Sequence, residues 1–230
     1  MSIRKAATAA LFGTALTLAS ASQAATLFQD SFDSDSGSST LNFNSLTNWT
    51  VSDGTIDYIR SGGYGISCSG GTGGCLDMDG STSNAGRITS TATYSLTAGV
   101  TYTLSGLISG NQRGGADDRL TMGFLDAGTG TSLVSFTFAA IAPGAAFGTQ
   151  WLAVTFAANQ TIRLFFEGYG GDNFGAILDN VLFVDDGGST TVSEPGTLLL
   201  AGVGLMLAAL GRRRARSQDP YPGRGSSPAR

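Results

Sequence analysis

Between Thr26 and Val184 apolar and polar residues alternate with period two in short runs. In VTYTLSGLI, Val100, Tyr102, Leu104 and Ile108 fall on one side and Thr101, Thr103 and Ser105 on the other. LVSFTF sets Val134, Phe136 and Phe138 against Ser135 and Thr137, WLAVTF aligns Leu152, Val154 and Phe156, and TIRLFF aligns Ile162, Leu164 and Phe166. Period two is the signature of half-buried strands, and each run is bounded by Gly, Asn, Asp or Pro. About nine such segments at this spacing predict an all-β antiparallel sandwich, with a jelly roll as the specific expectation. Trp49, Trp151 and most phenylalanines are read as core, because large aromatic side chains dominate cores.

Both ends of the chain leave that pattern. Arg4 and Lys5 precede an apolar stretch from Ala6 to Ala19, and Ser22-Gln23-Ala24 follows with small residues at its first and last positions. That order predicts a secretory signal helix over 1–24, cleaved after Ala24. Near the other end an apolar run over 196–211 is followed by Arg212, Arg213 and Arg214. It is shorter than the roughly 20 residues that span a bilayer. It has no polar face, which argues against a core helix of the domain. Arginines there stay on the cytoplasmic side and leave the body outside. The expected organisation is a signal peptide (1–24), a β-sandwich (25–187), a linker with a sorting motif (188–195), a short hydrophobic helix (196–211) and a basic cytoplasmic tail (212–230).

Val192-Ser193-Glu194-Pro195, the apolar run and the arginine cluster together resemble the PEP-CTERM sorting signal of Gram-negative bacteria. The usual four residues are Val-Pro-Glu-Pro, so Ser193 departs from the pattern, while Val192, Glu194 and Pro195 keep it. The extension from Ser217 to Arg230 is also longer than usual. The resemblance implies processing by exosortase, a membrane protease-transpeptidase, after export through the inner membrane by the secretion machinery. It implies a membrane-anchored precursor and a product at the cell surface or in the extracellular matrix. A plain single-span anchor is the alternative reading of 196–211.

Composition narrows the chemistry. The 230 residues contain 34 glycines and no histidine, and 13% are charged. Without histidine there is no Ser-His or Cys-His catalysis and no histidine-metal site. Five arginines and fifteen acidic residues lie in the body, which therefore stands at −10 although the whole chain is only −4. A body so acidic is unsuited to nucleic acid and suited to hard cations.

Cys68 and Cys75 bracket the glycine-rich CSGGTGGC and are the only cysteines. In an oxidising compartment they are expected to pair, and closing so short a loop contributes roughly 2.5 kcal/mol. Asp179 in GAILDNVLF falls on the same predicted face as Ile177, Val181 and Phe183. A buried lone carboxylate needs a partner, and with one lysine in the chain the readings are a calcium ion or backbone N–H groups. LFQDSFDS, Trp49-Thr50-Val51 and GAILDNVLF are similar to segments of galactose-binding-like jelly rolls, including many carbohydrate-binding modules. That resemblance implies first and last strands side by side, sharing a structural calcium held here by Asp30, Asp33 and Asp179. DMDGSTSNAG and GNQRGGADDRL also look like segments recurring in secreted PEP-CTERM proteins, with no activity attached.

Three functions fit. The first is a polysaccharide-binding module, for which Tyr64 and Tyr169 supply loop aromatics and Asn111, Gln112 and Arg113 supply hydrogen bonds. The second is a passive, calcium-stabilised adhesive component of the matrix. The third, ranked last, is a glycoside hydrolase, since two carboxylates suffice for that chemistry. Its compact acidic pairs are Asp117-Asp118 and Asp77/Asp79, which sit in Gly- and Ser-rich stretches where aspartate commonly caps turns. A non-enzymatic protein is expected.

Overall fold

The alternating runs become strands, and the computed structural model, which describes residues 24–186, pairs them into two antiparallel sheets. There are twelve: β1 Ala25–Asp30, β2 Trp49–Ser52, β3 Asp57–Arg60, β4 Gly74–Asp77, β5 Arg87–Ser90, β6 Tyr94–Leu96, β7 Thr101–Ser109, β8 Asp118–Asp126, β9 Ser132–Ile141, β10 Gly148–Thr155, β11 Gln160–Gly168 and β12 Ile177–Asp185. The surplus over nine comes from strands of three or four residues, too short to show a period. Among the described residues the remaining regular structure is two 3-10 turns, Gly63–Gly65 and Ser69–Gly71. The expected signal peptide up to residue 23, the sorting motif with Val192, Glu194 and Pro195, the helix over 196–211 and the arginine tail lie outside the described residues. Ala24 is described, and β1 begins one residue after it.

One sheet runs β10-β7-β12-β4-β3, with β1 also paired to β12. The other runs β2-β5-β11-β8-β9, with β6 also paired to β11. First and last strands are neighbours, paired from Ala25 opposite Asp185 to Asp30 opposite Val181 with one register shift between Thr26 and Phe28. The alternation of β7 and β11 is kept: Tyr102, Leu104, Ile108, Ile162, Leu164 and Phe166 are buried in one core. Trp49 joins it, with Phe28 and Phe166 at ring-centre distances of 5.5 and 5.9 Å. These separations and edge-on geometries suit the aromatic quadrupole.

Two positions depart from the alternation. The register of β12 slips between Asp179 and Leu182, where Asn180 has a φ of 46°. An extra residue at a bulge turns the following side chains to the opposite face. Leu178, Val181 and Phe183 therefore fill the main core, while Ile177 joins Ile59, Ile66, Cys68 and Cys75 in a second, smaller cluster. The expectation that Asp179 shares a face with Val181 and Phe183 is corrected by that bulge. Phe136, expected inside, is 52% exposed because β9 is an edge strand.

Candidate binding site

At one end of the sandwich β4, β7 and β11 leave their sheets and β8 and β12 enter theirs, so the segments 77–85, 110–118 and 169–176 meet. Of the two acidic pairs expected as turn caps, Asp77, Asp79 and Asp118 lie here at strand ends or beneath loops, and Asp117 is exposed. Asp77, Asp79 and Asp118 are 0%, 1% and 7% exposed. Asp77 pairs with Arg113 and accepts the Gly175 N–H at 2.9 Å. Arg113 also donates to the Asn173 carbonyl at 3.1 Å and lies 4.4 Å over the Phe174 ring. Asn111, wholly buried, donates its side-chain and backbone N–H groups to Asp118 and accepts the N–H groups of Arg113 and Gly114. Asp79 accepts the Asn173 N–H at 3.1 Å through one oxygen, and its other oxygen has no hydrogen-bond partner.

Burial raises the pKa of Asp77 to about 7, against the opposing pull of Arg113, and that of Asp118 to about 6, against the Asn111 hydrogen bonds. Burial also raises Asp79, while the backbone N–H groups of Asp172, Gly171 and Asn173 pull it back down. The network clamps three loops together. Asn111 and Arg113, expected to face a ligand, spend their polar groups inside it. Gln112 does the same nearby, exchanging two 2.9 Å hydrogen bonds with the Ser67 backbone. Tyr64 and Tyr169 are 50% and 46% exposed, as loop aromatics should be.

Cys68 and Cys75 are joined, with Cα atoms 5.6 Å apart, and two aspartates pin the loop they close. Asp33 accepts the Gly74 N–H at 2.7 Å and Asp179 accepts the Ser69 N–H at 2.9 Å. Asp179 also accepts the Asn180 N–H at 2.7 Å. Asp30 instead accepts from Trp49 Nε1 at 2.9 Å, from Asn48 Nδ2 at 3.0 Å and from the Phe32 N–H at 2.9 Å. Calcium asks for six to eight oxygens with several carboxylates converging. Among the described residues no three acidic or cysteine side chains stand where they could hold a metal ion. Asp33 and Asp179 are taken up by N–H donors of the disulfide loop and Asp30 by Trp49, Asn48 and Phe32, so as a set they do not fit a shared calcium site.

Burial, with a smaller contribution from the Asp33 charge, raises the pKa of Asp179 to about 6, outweighing its two backbone hydrogen bonds. A carboxyl whose folded pKa exceeds its unfolded value stabilises the fold below the unfolded pKa. That contribution disappears as pH rises through the folded pKa. Asp179 therefore favours the fold below about pH 4 and loses that effect by pH 6 to 7, a swing of roughly 2–3 kcal/mol. Thermal unfolding from pH 4 to 7 in chelator should show a decline in stability that Asp179→Asn flattens. An unchanged slope in the variant would assign the decline to other groups.

The exposed aromatic that the sequence hides is Trp151, read as core and found 62% exposed. It lies on β10 opposite Ser105 of β7, Ser105 lies opposite Leu182 of β12, and Leu182 lies opposite Gln29 of β1. Directly paired residues share a face, so these four form one row across the outer face of their sheet. At about 4.8 Å per strand the row is roughly 14 Å long. Beside Gln29 and Leu182 opens a groove of about 560 Å³ lined also by Asp30, Ser31, Ser34, Asn48 and Asn180. One end offers a flat ring and the other offers amides, hydroxyls and a carboxylate already tied to Trp49. The sequence signal available for Trp151 was its place at the start of the same alternating run as Leu152 and Val154, on the opposite parity.

Residues 191–215 match the PEP-CTERM protein-sorting motif, so the chain carries that motif, which implies processing by exosortase and sorting to the cell surface. No curated protein matches the chain. Similar solved structures include the carbohydrate-binding and catalytic modules of endo-1,4-β-D-xylanase 10B from Clostridium thermocellum, complexed with xylohexaose, at 18% identity, 73% of this chain, 30% of that chain and a TM-score of 0.44. The K1 cleaved adhesin domain of Lys-gingipain from Porphyromonas gingivalis is similar at 13% identity, 72% of this chain, 100% of that one and a TM-score of 0.43. A carbohydrate-binding module of a Cellvibrio mixtus lichenase, in complex with cellotriose, is similar at 12% identity, 69% of this chain, 97% of that one and a TM-score of 0.36. The chain thus spans less than a third of the xylanase structure.

Proposed function

We propose that the protein is a non-enzymatic, exosortase-sorted component of the extracellular surface or matrix of a Gram-negative bacterium, and that its jelly-roll sandwich binds extracellular polysaccharide. The observation that carries this reading is the row Trp151–Ser105–Leu182–Gln29, running from an exposed indole to a polar groove. Sugar rings present C–H faces that stack on aromatic rings and hydroxyls that bond to amides and carboxylates. A row of about 14 Å suits several sugar units better than one. Its only aromatic ring is Trp151, so the ring should carry much of the affinity.

A hydrolase is the lower-ranked reading. A glycosidase needs two carboxyl groups flanking the scissile bond. Asp77 and Asp79 are buried in a network that closes loops, with Asp79 covered by the backbone of residues 171–173, while Asp118 is tied to Asn111 and only Asp117 and Asp172 beside it stand exposed. The test is retention of the purified protein on immobilised extracellular polysaccharide from the producing cells. Wild-type protein should bind, and Trp151→Ala should bind about tenfold more weakly with unchanged melting temperature. Failure of the wild type to bind would reject the reading, and equal binding by the variant would remove Trp151 from the site.

A further inference from the structure

The two sides of the sandwich are finished differently. On one side the edge strands β2 and β3 have four residues each, β3 carries Asp57 and Arg60, and a β-bridge from Thr40 to Tyr58 covers its outer edge with hydrogen bonds of 2.8 and 2.9 Å. On the other side β9 has ten residues and β10 has eight, neither contains a charged residue, and each pairs with a single neighbour. An edge strand leaves a row of backbone N–H and C=O groups free to pair with another chain. Proteins blunt such edges with charge, proline, short length or a covering segment. The first side uses three of these devices, whereas β10 uses none and β9 has only the register slips that flank its central portion.

β9 has a further property. Its pairing with β8 is regular from Val134 to Phe138 and slips on either side, so its straight portion is centred on Phe136. Phe136 is half-exposed and packs edge-on against Phe138 with ring centres 4.8 Å apart. Together with Ile141 and Ala145 they line an uncharged groove of about 520 Å³. We propose that β9 is a self-association strand through which two copies join edge to edge, antiparallel, about a two-fold axis near Phe136. Antiparallel pairing of a strand with its own copy is self-complementary by symmetry. Centred there, it sets Phe136 against its mate and Val134 against Phe138 of the other copy, aromatic and branched pairs of the kind that stabilise sheets. A body of charge −10 repels its own copy, and an interface built on two uncharged strands brings the fewest like charges together.

The test is the association state of the full-length chain in mild detergent, followed by light scattering and sedimentation across a concentration series. Wild-type protein should dimerise, and Phe136→Lys, which puts a cation on the axis, should raise the dimer dissociation constant at least tenfold. In Phe136→Cys the two introduced thiols should face each other, since directly opposed residues of an antiparallel pair have Cα atoms about 4.5–5.5 Å apart, within disulfide range. That variant should form a covalent dimer under mild oxidation, with the native cysteines already paired. A wild type that stays monomeric, a dimer indifferent to Phe136→Lys, or a Phe136→Cys variant that dimerises without cross-linking would each overturn the assignment.

Discussion

Replacing Arg113 by alanine is expected to cost about 3–5 kcal/mol of stability at pH 8, and distinctly less at pH 5. The pair it forms with Asp77 is asymmetric: the arginine side chain is 19% exposed and the carboxylate 0%. Removing the guanidinium leaves a carboxylate with no water and only the N–H groups of Gly175 and Asp79 to face. It also removes the hydrogen bond to the Asn173 carbonyl and the cation stacked on Phe174, so the loop over 169–175 loses two further ties. The pH dependence follows from the position of Asp77, whose pKa is already held up at about 7 by burial. Without the neighbouring positive charge it rises further, and a proton then neutralises the group at pH 5 where the arginine no longer does. The folded state of the variant binds that proton and the unfolded chain does not, so the deficit shrinks as pH falls. Thermal unfolding at the two pH values, with Asp77→Asn and the double variant completing the cycle, measures this. For a domain of this size the loss at pH 8 corresponds to a drop of roughly 6–20 °C. A variant equally destabilised at both pH values would show that the stacking and packing of Arg113 matter and its charge does not.

That network shows where reading the sequence reached its limit. GNQRGGADDRL and DMDGSTSNAG stood out as segments, and each carries acidic residues in glycine-rich surroundings. Nothing in either says that β4 and β8 belong to opposite sheets and open at the same end, which is what brings Asp77 to Arg113 and buries the carboxylate. Local pattern identifies turn-forming aspartate, whereas pairing across sheets decides whether it is solvated. The long strands were legible because half-burial enforces period two, and so was the disulfide, because its two cysteines have no other partner. Trp49 and Trp151 mark the failure most clearly. Both stand at or near the start of an alternating run, yet one is 2% exposed and the other 62%. The difference is parity relative to the core together with β10 being an edge, and neither is a property of the residues on either side. A one-residue bulge at Asn180 likewise moved Asp179 out of the main core, since a slip of one inverts every face that follows it.

Trp49→Ala should be the most destabilising single change in the core, by about 3–5 kcal/mol, and Trp49→Phe should recover about half of the loss. The indole fills the space between Phe28, Phe32 and Phe166, with ring-centre distances of 5.5, 6.4 and 5.9 Å. Removing it opens a cavity ringed by aromatic groups that cannot collapse together, because they belong to both sheets and to the segment after β1. Phenylalanine refills much of that volume and leaves one defect: Asp30 loses the Nε1–H donor at 2.9 Å and keeps Asn48 and the Phe32 N–H. A hydrogen bond to a carboxylate contributes about 1.5–3 kcal/mol, so the phenylalanine variant should sit that far below wild type. Asp30 is also part of the floor of the polar groove, and its carboxylate is oriented by that same indole. The phenylalanine variant, folded at 25 °C, should therefore bind polysaccharide more weakly than wild type although residue 49 is almost fully buried. Calorimetric unfolding and the retention assay together separate the two consequences. Equal stability of Trp49→Phe and wild type would show that Asp30 does not depend on the indole. Unchanged retention beside a clear stability loss would place the sugar on Trp151 and its neighbours, away from the groove.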